Sequence, residues 1–402
     1  MVPSFCKMAD HAPPASETAP SVSPSKILLP GRLVSLDALR GFDMLWILGA
    51  DSIGGAMAGL EGGPLTSALA RQLDHVKWEG FRFYDLIFPL FVFMVGVSLV
   101  FSLTRIVAKE GKDQALQRIV MRSVLLYLFG IFVYNGVHAD IKDFVWKSSE
   151  DIRLLGVLQR LALCYLVTGL LFILCRPRTL IGIAVGILVG YWALLTFVPV
   201  PGQSFVSFEE GKNIVNWFDS RYLAFRKWDG AHDPEGILST FPAIATCLLG
   251  VFAGRWLINP QLPDRRKALG LLAAGVVLLA LGYGLGLGSP IIKKLWTSPY
   301  VLVAAGWSSL LLAGFFWVID ILGWQRWAQP FVWVGMNPIA LYLLVHVANF
   351  DRIASYLVGG PVAAWLDTLV KGLGTVTISG VGILLCLALA RLLFVKKLFI
   401  RL

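Results

Sequence analysis

Between His75 and Leu103 the chain reads H-V-K-W-E-G-F-R-F-Y-D-L-I-F-P-L-F-V-F-M-V-G-V-S-L-V-F-S-L. The second half, Leu86 to Leu103, runs eighteen residues without a formal charge. At about 1.5 Å of rise per residue, a helix of that length nearly spans a bilayer core. The first half carries His75, Lys77, Trp78, Glu79, Arg82 and Asp85 within eleven residues, at the mouth of that helix. A histidine flanked by carboxylates suits general-base or nucleophilic work on an acyl or proton transfer. The same residues also fit a plain interfacial loop, with Trp78 and Tyr84 as anchors and Asp85 favoured in the first turn by the helix dipole.

The elements that must position this stretch are membrane helices. Apolar residues make up 57% of 402 positions, charged residues only 15%, and the mean hydropathy is +0.72. Soluble domains carry about 25% charged residues. The fold class is therefore all-α: a polytopic membrane helix bundle. The net charge of +10 would suggest nucleic acid in a soluble chain. Here it reflects Lys and Arg in cytoplasmic loops, and no nucleic-acid partner is expected. The five cysteines are scattered singly, without metal spacing, and read as small core hydrophobes. Residues 1–31 are rich in Pro, Ser and Ala, lack the apolar run of a signal peptide, and are expected to form a disordered cytoplasmic tail.

The remainder, 32–402, reads as one transmembrane domain of ten spans, near 38–59, 84–104, 119–137, 154–175, 179–198, 237–258, 267–287, 300–321, 331–350 and 374–395. The Gly359-Gly360-Pro361 break makes the segment 352–372 a pair of short interfacial helices instead of an eleventh span. The loops after spans two, four, six and eight are short and basic, with Arg105, Lys112, Arg118, Arg176, Arg178, Arg265, Arg266 and Arg326 among their residues. Both termini are accordingly expected in the cytoplasm. On that topology Asp51 lies about 20 Å along span one, His346 at a similar depth in span nine, and Arg160 about 9 Å below the outer surface. Asp85, His75, Asp233 and Glu235 fall at the same face, which brings seven ionisable groups to one depth. Charges within spans are costly and usually face a cavity or a partner. The set points to a polar, outward-facing site; alternatively, Arg160 simply pairs with an aspartate to hold helices together.

At the inner face, Asp37 and Arg40 stand one helical turn apart and can pair. Ser35 is a candidate N-cap, and Gly41 permits close backbone approach. A basic rim there could hold an anionic cofactor. The chain has no Walker-type loop, no G-x-G-x-x-G between strand and helix, and no H-E-x-x-H or G-x-S-x-G motif. ATP-driven pumping, zinc proteolysis and serine-hydrolase chemistry are disfavoured.

Six ordered motifs carry a resemblance. They are S-L-D-A-L-R-G at 35–41, H-V-K-W-E-G-F-R-F-Y-D-L-I-F-P-L-F-V-F-M-V-G at 75–96, L-L-G-V-L-Q-R-L at 154–161, D-P-E-G-I-L at 233–238, K-L-W-T-S-P-Y at 294–300 and G-M-N-P-I-A-L-Y at 335–342. Together they resemble the heparan-α-glucosaminide N-acetyltransferase family of transmembrane acetyltransferases, in the manner of bacterial members that lack the large luminal region. The resemblance implies transfer of an acetyl group from cytoplasmic acetyl-CoA to the amine of a terminal glucosamine outside, in a bacterial inner membrane.

On this resemblance the family's active histidine falls on His75, and the aspartate of D-L-I-F-P on Asp85. A family asparagine ten residues past R-G falls on Asp51, a departure that leaves open whether Asp51 orients groups or takes a proton. Trp78, Glu79, Arg160, Asp233, Glu235 and His346 are the candidate acceptor-binding residues. Arg40, Arg105, Arg122 and Asn337 are the candidates for acetyl-CoA. The partners are the amino sugar, acetyl-CoA and membrane lipid, with a homodimer left open. An amine attacks a thioester only when neutral, so a base on its path matters, and an imidazole suits that role. Direct transfer and a two-step route through acetyl-histidine both remain open, and a carboxylate, Asp51 or Asp85, would fix the imidazole tautomer. The rival functions are a secondary transporter of amino sugars or oligosaccharides and an O-acyltransferase of envelope sugars.

Overall fold

The computed structural model describes residues 33–61, 63–136 and 152–398. The expected tail at 1–31 and most of the loop at 138–153 lie outside the described residues. Helices account for the architecture: α1 (Val34–Ala58), α2 (Pro64–Gln72), α3 (Phe83–Glu110), α4 (Lys112–Gly136), α5 (Val157–Leu174), α6 (Pro177–Phe197), α7 (Ile214–Tyr222), α8 (Ile237–Leu257), α9 (Asp264–Gly286), α10 (Ser298–Phe315), α11 (Gln329–Gly335), α12 (Pro338–Ala348), α13 (Phe350–Val358), α14 (Pro361–Leu369) and α15 (Leu373–Val395). Among the described residues the extended pairing is one isolated bridge, Glu79 to Ile292. The protein is an all-α, multi-pass membrane bundle.

Every expected span finds a helix, but the ten are not alike. Eight helices are long and apolar enough to cross a membrane unaided: α3, α4, α5, α6, α8, α9, α15, and α10 continued to Ile321. Among the described residues a ninth apolar stretch is bent: the part ending in α11 meets α12 at 71°, the geometry of a broken span or a re-entrant loop. The first expected span, α1, has 25 residues but is not among the eight. Its Asp37, Arg40, Asp43 and Asp51 cost it the apolarity that lipid alone would require. Segment 352–372 forms the two nine-residue helices α13 and α14, as its Gly-Gly-Pro break implies.

The helix α3 is the axis of the bundle. It and α8 bury most of their length, whereas α6, α9 and α15 stay peripheral, with Val185, Val276 and Leu384 exposed as lipid-facing surface. Close approach is bought with glycine. A Cβ on Gly96 would meet the backbone of Cys247, and one on Gly250 the backbone of Phe93, so α3 and α8 touch main chain to main chain. Gly41 and Gly335 do the same for α1 and α11, against Phe331 and Asp37 respectively. Gly41→Leu should therefore force α1 off α11, since its contacts are rigid backbone. We expect a loss of about 3 kcal/mol, the upper end of the usual range for overpacked cores, read as a lower melting temperature and aggregation on size exclusion in detergent.

The start of α1 differs from expectation. Helix geometry begins at Val34 after Leu33, and Ser35 does not cap it. Asp320, past the end of α10, accepts from the Val34 and Ser35 backbone N–H groups at 3.2 Å each. The first-turn donors are satisfied by a carboxylate that a local reading cannot see. The expected Asp37–Arg40 pair is formed, at 2.5 Å.

Candidate active site

Asp85 is fully buried at the third position of α3. Its Oδ2 accepts the Arg82 N–H at 3.1 Å and the Val76 N–H at 3.3 Å, so one carboxylate starts the helix and folds the preceding loop onto it. Pro89 has no N–H to give the Asp85 carbonyl four residues back. The Tyr300 hydroxyl donates to that carbonyl instead, at 2.9 Å, and ties α10 to this point. What remains of Asp85, its Oδ1, lies 2.8 Å from His75 Nδ1. A buried carboxylate accepting there puts the imidazole proton on Nδ1 and leaves the Nε2 lone pair for chemistry. The imidazole stacks on Tyr84, with centroids 4.3 Å apart and planes 11° from parallel. Ring position and tautomer are thus both set by the first turn of α3.

Two further groups complete this cluster. Lys293 Nζ lies 3.0 Å from each imidazole nitrogen and 3.7 Å from Asp85 Oδ1. Burial pushes its pKa below that of an ordinary lysine, by more than Asp85, Glu235 and Asp51 restore. Asp51, toward the end of α1, acts electrostatically on the Tyr84 hydroxyl and on Lys293, so it reaches His75 through these neighbours. The tautomer-fixing carboxylate is Asp85.

The other expected polar groups form a second, tighter assembly. Arg153 holds Asp233 through two parallel contacts of 3.0 and 2.7 Å and Glu235 through a third of 2.6 Å. Its guanidinium lies between the rings of Tyr134 and Trp228, at 4.8 and 5.0 Å. Asp233 and Glu235, candidate acceptor-binding residues by sequence, are both engaged by a buried arginine. Arg160 is buried as well, donating to Pro234 O at 3.0 Å and to Ser239 Oγ, with its guanidinium 4.8 Å from the Trp296 ring. Glu235 feels Arg160 and acts on Lys293, which links the two assemblies.

Asp219 underlies this group and accepts the Ile237 N–H, at 3.2 Å, where α8 begins. Burial pushes its pKa from 3.8 up to about 6. An acid whose folded value is raised contributes stability that is complete below the unfolded value and is lost as pH rises through the folded one. The parent should lose up to about 3 kcal/mol between pH 4 and pH 7 on this account. Asp219→Asn should flatten that fall in melting temperature, measured across the same range.

Two cavities reach the site region. The larger, 460 Å³, is lined at one end by Arg40, Arg105 and Arg122. Along α3 its lining runs from Arg105 to Phe88, about 26 Å of helix. Phe88 is one turn from Asp85. The smaller, 270 Å³, is lined by Asp51, Ser52, His346 and Asp351, which brings Asp51 and His346 to one cavity. Ile47 lines both. His346 Nδ1 donates to the Tyr342 carbonyl at 2.8 Å, and Tyr342 lines the larger cavity.

Three expected residues sit apart from these cavities. Trp78 is half-buried, with its indole N–H on Phe208 O at 2.9 Å. Glu79 is exposed and contributes its backbone to the bridge with Ile292. Asn337 donates to Leu398 O at 2.9 Å, beside the cavity-lining Met336 and Pro338, and so fixes the break between α11 and α12.

Sequence reasoning missed Lys293 and Arg153. Each stands one position ahead of a stretch already singled out, K-L-W-T-S-P-Y and L-L-G-V-L-Q-R-L. Extending those stretches by a residue would have found both.

Comparison with known proteins agrees with this geometry. The family described as heparan-alpha-glucosaminide N-acetyltransferase, catalytic, matches residues 32–283, which hold His75, Asp85, Arg153 and the three arginines of the larger cavity. Heparan-alpha-glucosaminide N-acetyltransferase of Homo sapiens is 27% identical, over 78% of this chain and 53% of its own length. The Mus musculus protein of that name is 28% identical, over 67% and 48%. The chain spans about half the length of these curated relatives. It belongs to the heparan-α-glucosaminide N-acetyltransferase family.

Proposed function

We propose that the protein moves an acetyl group from acetyl-CoA, taken up at the Arg40 end, to the amine of a glucosamine-type sugar at the His75 end. The observation that carries this reading is the 460 Å³ cavity, with three arginines in its lining at one end and mainly apolar residues, with Ser98 and Ser102, along α3 until one turn from Asp85. Three arginines suit the phosphates of coenzyme A. Phe91, Met94 and Leu99 line the path that its long pantetheine arm would follow. The short basic loops at that end support a cytoplasmic side for it.

His75 Nε2 takes a proton from the sugar amine as the nitrogen attacks the thioester carbonyl. The C–S bond breaks, and the thiolate leaves and recovers a proton. Asp85 holds Nδ1 throughout and balances the imidazolium that forms. Incubating the purified protein with labelled acetyl-CoA and a panel of amino sugars tests the reading, with products read by mass. An N-acetylated amino sugar is expected. Ester products would point to O-acyl transfer, and uptake of unchanged sugar into proteoliposomes without acetyl-CoA would point to transport; either result would overturn it.

The donor site makes its own prediction. Acetyl-CoA at 100 times its Kd should stabilise the detergent-solubilised protein by about 2.7 kcal/mol. Arg40→Ala combined with Arg105→Ala and Arg122→Ala should remove most of that shift in melting temperature.

A further inference from the structure

The amine nearest the reacting imidazole among the described residues belongs to the protein. Lys293 Nζ, 3.0 Å from His75 Nε2, is within the distance at which a general base takes a proton from an attacking amine. On the acetyltransferase reading, the sugar nitrogen has to come within the same distance of Nε2. Lys293 is also held there. Gly80 N–H donates to Ile291 O at 2.8 Å, Glu79 bridges Ile292, and Ile292 N–H donates to Thr297 Oγ1 at 3.1 Å. The backbone before Lys293 is therefore tied to the loop that carries His75. The charged groups and rings around Nζ are His75, Asp85, Tyr84, Glu235 and Asp51.

The neighbouring lysine provides the contrast. Lys294 Nζ sits 2.8 Å from both Glu210 and Asp229, and these carboxylates outweigh burial and raise its pKa. Lys294 is kept as an ammonium ion. Burial works the other way on Lys293 and favours the neutral amine, the nucleophilic form.

We infer that Lys293 is an internal acetyl acceptor: with acetyl-CoA bound and no sugar present, the enzyme acetylates its own Lys293 Nζ. The inference rests on the acetyltransferase reading. Nζ attacks the thioester carbonyl, an N–C bond forms, the C–S bond breaks, and the sulfur leaves with the electron pair. The proton lost by Nζ passes to His75 Nε2 and from there to the thiolate. If the acetyl group stands first on Nε2, its carbonyl carbon lies no more than about 4.3 Å from Nζ, given an amide-like bond of about 1.3 Å. The first step then breaks the C–S bond and leaves a thiolate; attack by Nζ breaks the C–Nε2 bond, returns neutral imidazole, and sends the proton lost by Nζ to that thiolate. On either route the product is a stable amide whose acetyl group fills the place of the incoming amine. The enzyme blocks itself when acceptor is scarce, and the sugar protects it.

The test uses the unaltered protein with isotope-labelled acetyl-CoA, with and without saturating glucosamine. Non-tryptic peptides are fragmented to separate Lys293 from Lys294, and sugar acetylation is assayed on the same sample. We expect one acetyl group on Lys293 with one equivalent of free thiol, suppressed by glucosamine and absent from His75→Ala. Preincubation without sugar should lower turnover at least tenfold, while whatever rate Lys293→Arg retains should not decline. Sugar acetylation with Lys293 unmodified would overturn this inference and leave the function standing. Neither product would overturn both. Labelling of Lys294 to the same extent, or of heat-denatured protein, would mean chemical acetylation only and would also overturn it.

Discussion

His75→Ala is expected to lower turnover at least about 100-fold while acetyl-CoA still raises the melting temperature. The base is removed, but the three arginines of the donor cavity lie at the far end of α3. Asp85→Ala should be at least as damaging and should also destabilise the fold. It strips the acceptor from His75 Nδ1 and from the Val76 and Arg82 backbone N–H groups. Asp85→Asn should fall between, since an amide keeps one acceptor oxygen. Asp51 makes the finer distinction. It meets His75 only through Tyr84 and Lys293. Asp51→Asn should stay within about tenfold of the parent, and Asp51→Ala should fall further, if positioning is its task. Comparable inactivity of both would make Asp51 the proton acceptor. A His75→Ala protein acetylating glucosamine at the parental rate would sink the mechanism.

The largest expected loss of stability comes from Arg153→Met. Two buried carboxylates, Asp233 and Glu235, would keep their positions and lose the cation that holds both. Breaking a buried pair from one side typically costs about 3–5 kcal/mol. The sign with pH follows from Glu235, whose pKa burial already raises. Without the guanidinium it rises further, so the variant takes up protons that the parent does not. The gap in melting temperature should accordingly narrow on going from pH 8 to pH 5. Arg153→Met combined with Asp233→Asn and Glu235→Gln should recover much of the loss. A deficit independent of pH would show that the guanidinium matters through its packing between Tyr134 and Trp228.

These expectations depend on contacts of very different legibility. The spans can be read from apolar runs because lipid imposes one simple demand on every residue facing it. Asp37–Arg40 and the Gly41 approach can be read because helix geometry carries them. His75 and Asp85 can be read as candidates, ten positions apart, although nothing local says that they touch. Lys293 meets His75 across 218 positions and Arg153 meets Asp233 across 80, so only the packed bundle reveals them. The same reason underlies the one misreading, for Asp320 caps α1 from 285 positions away, in place of Ser35. Asp233 and Glu235 stand out in the sequence, but the cation that engages them does not.

The polarity of α1 has a consequence for how the protein is made. The helix α1 precedes every other described helix and, with four ionisable residues along it, is poorly hosted by lipid alone. Its closest packing is with α11, and it also meets α15, the last helix of the bundle. Everything from Gly59 to Ala328 has to be synthesised before α11 exists, which at common elongation rates takes on the order of tens of seconds. Throughout that interval Asp43 and Asp51 need another host, in the insertion machinery or among the helices already delivered. A nascent chain arrested before α11 would therefore present an unsheltered first helix, a feature that membrane quality control could detect.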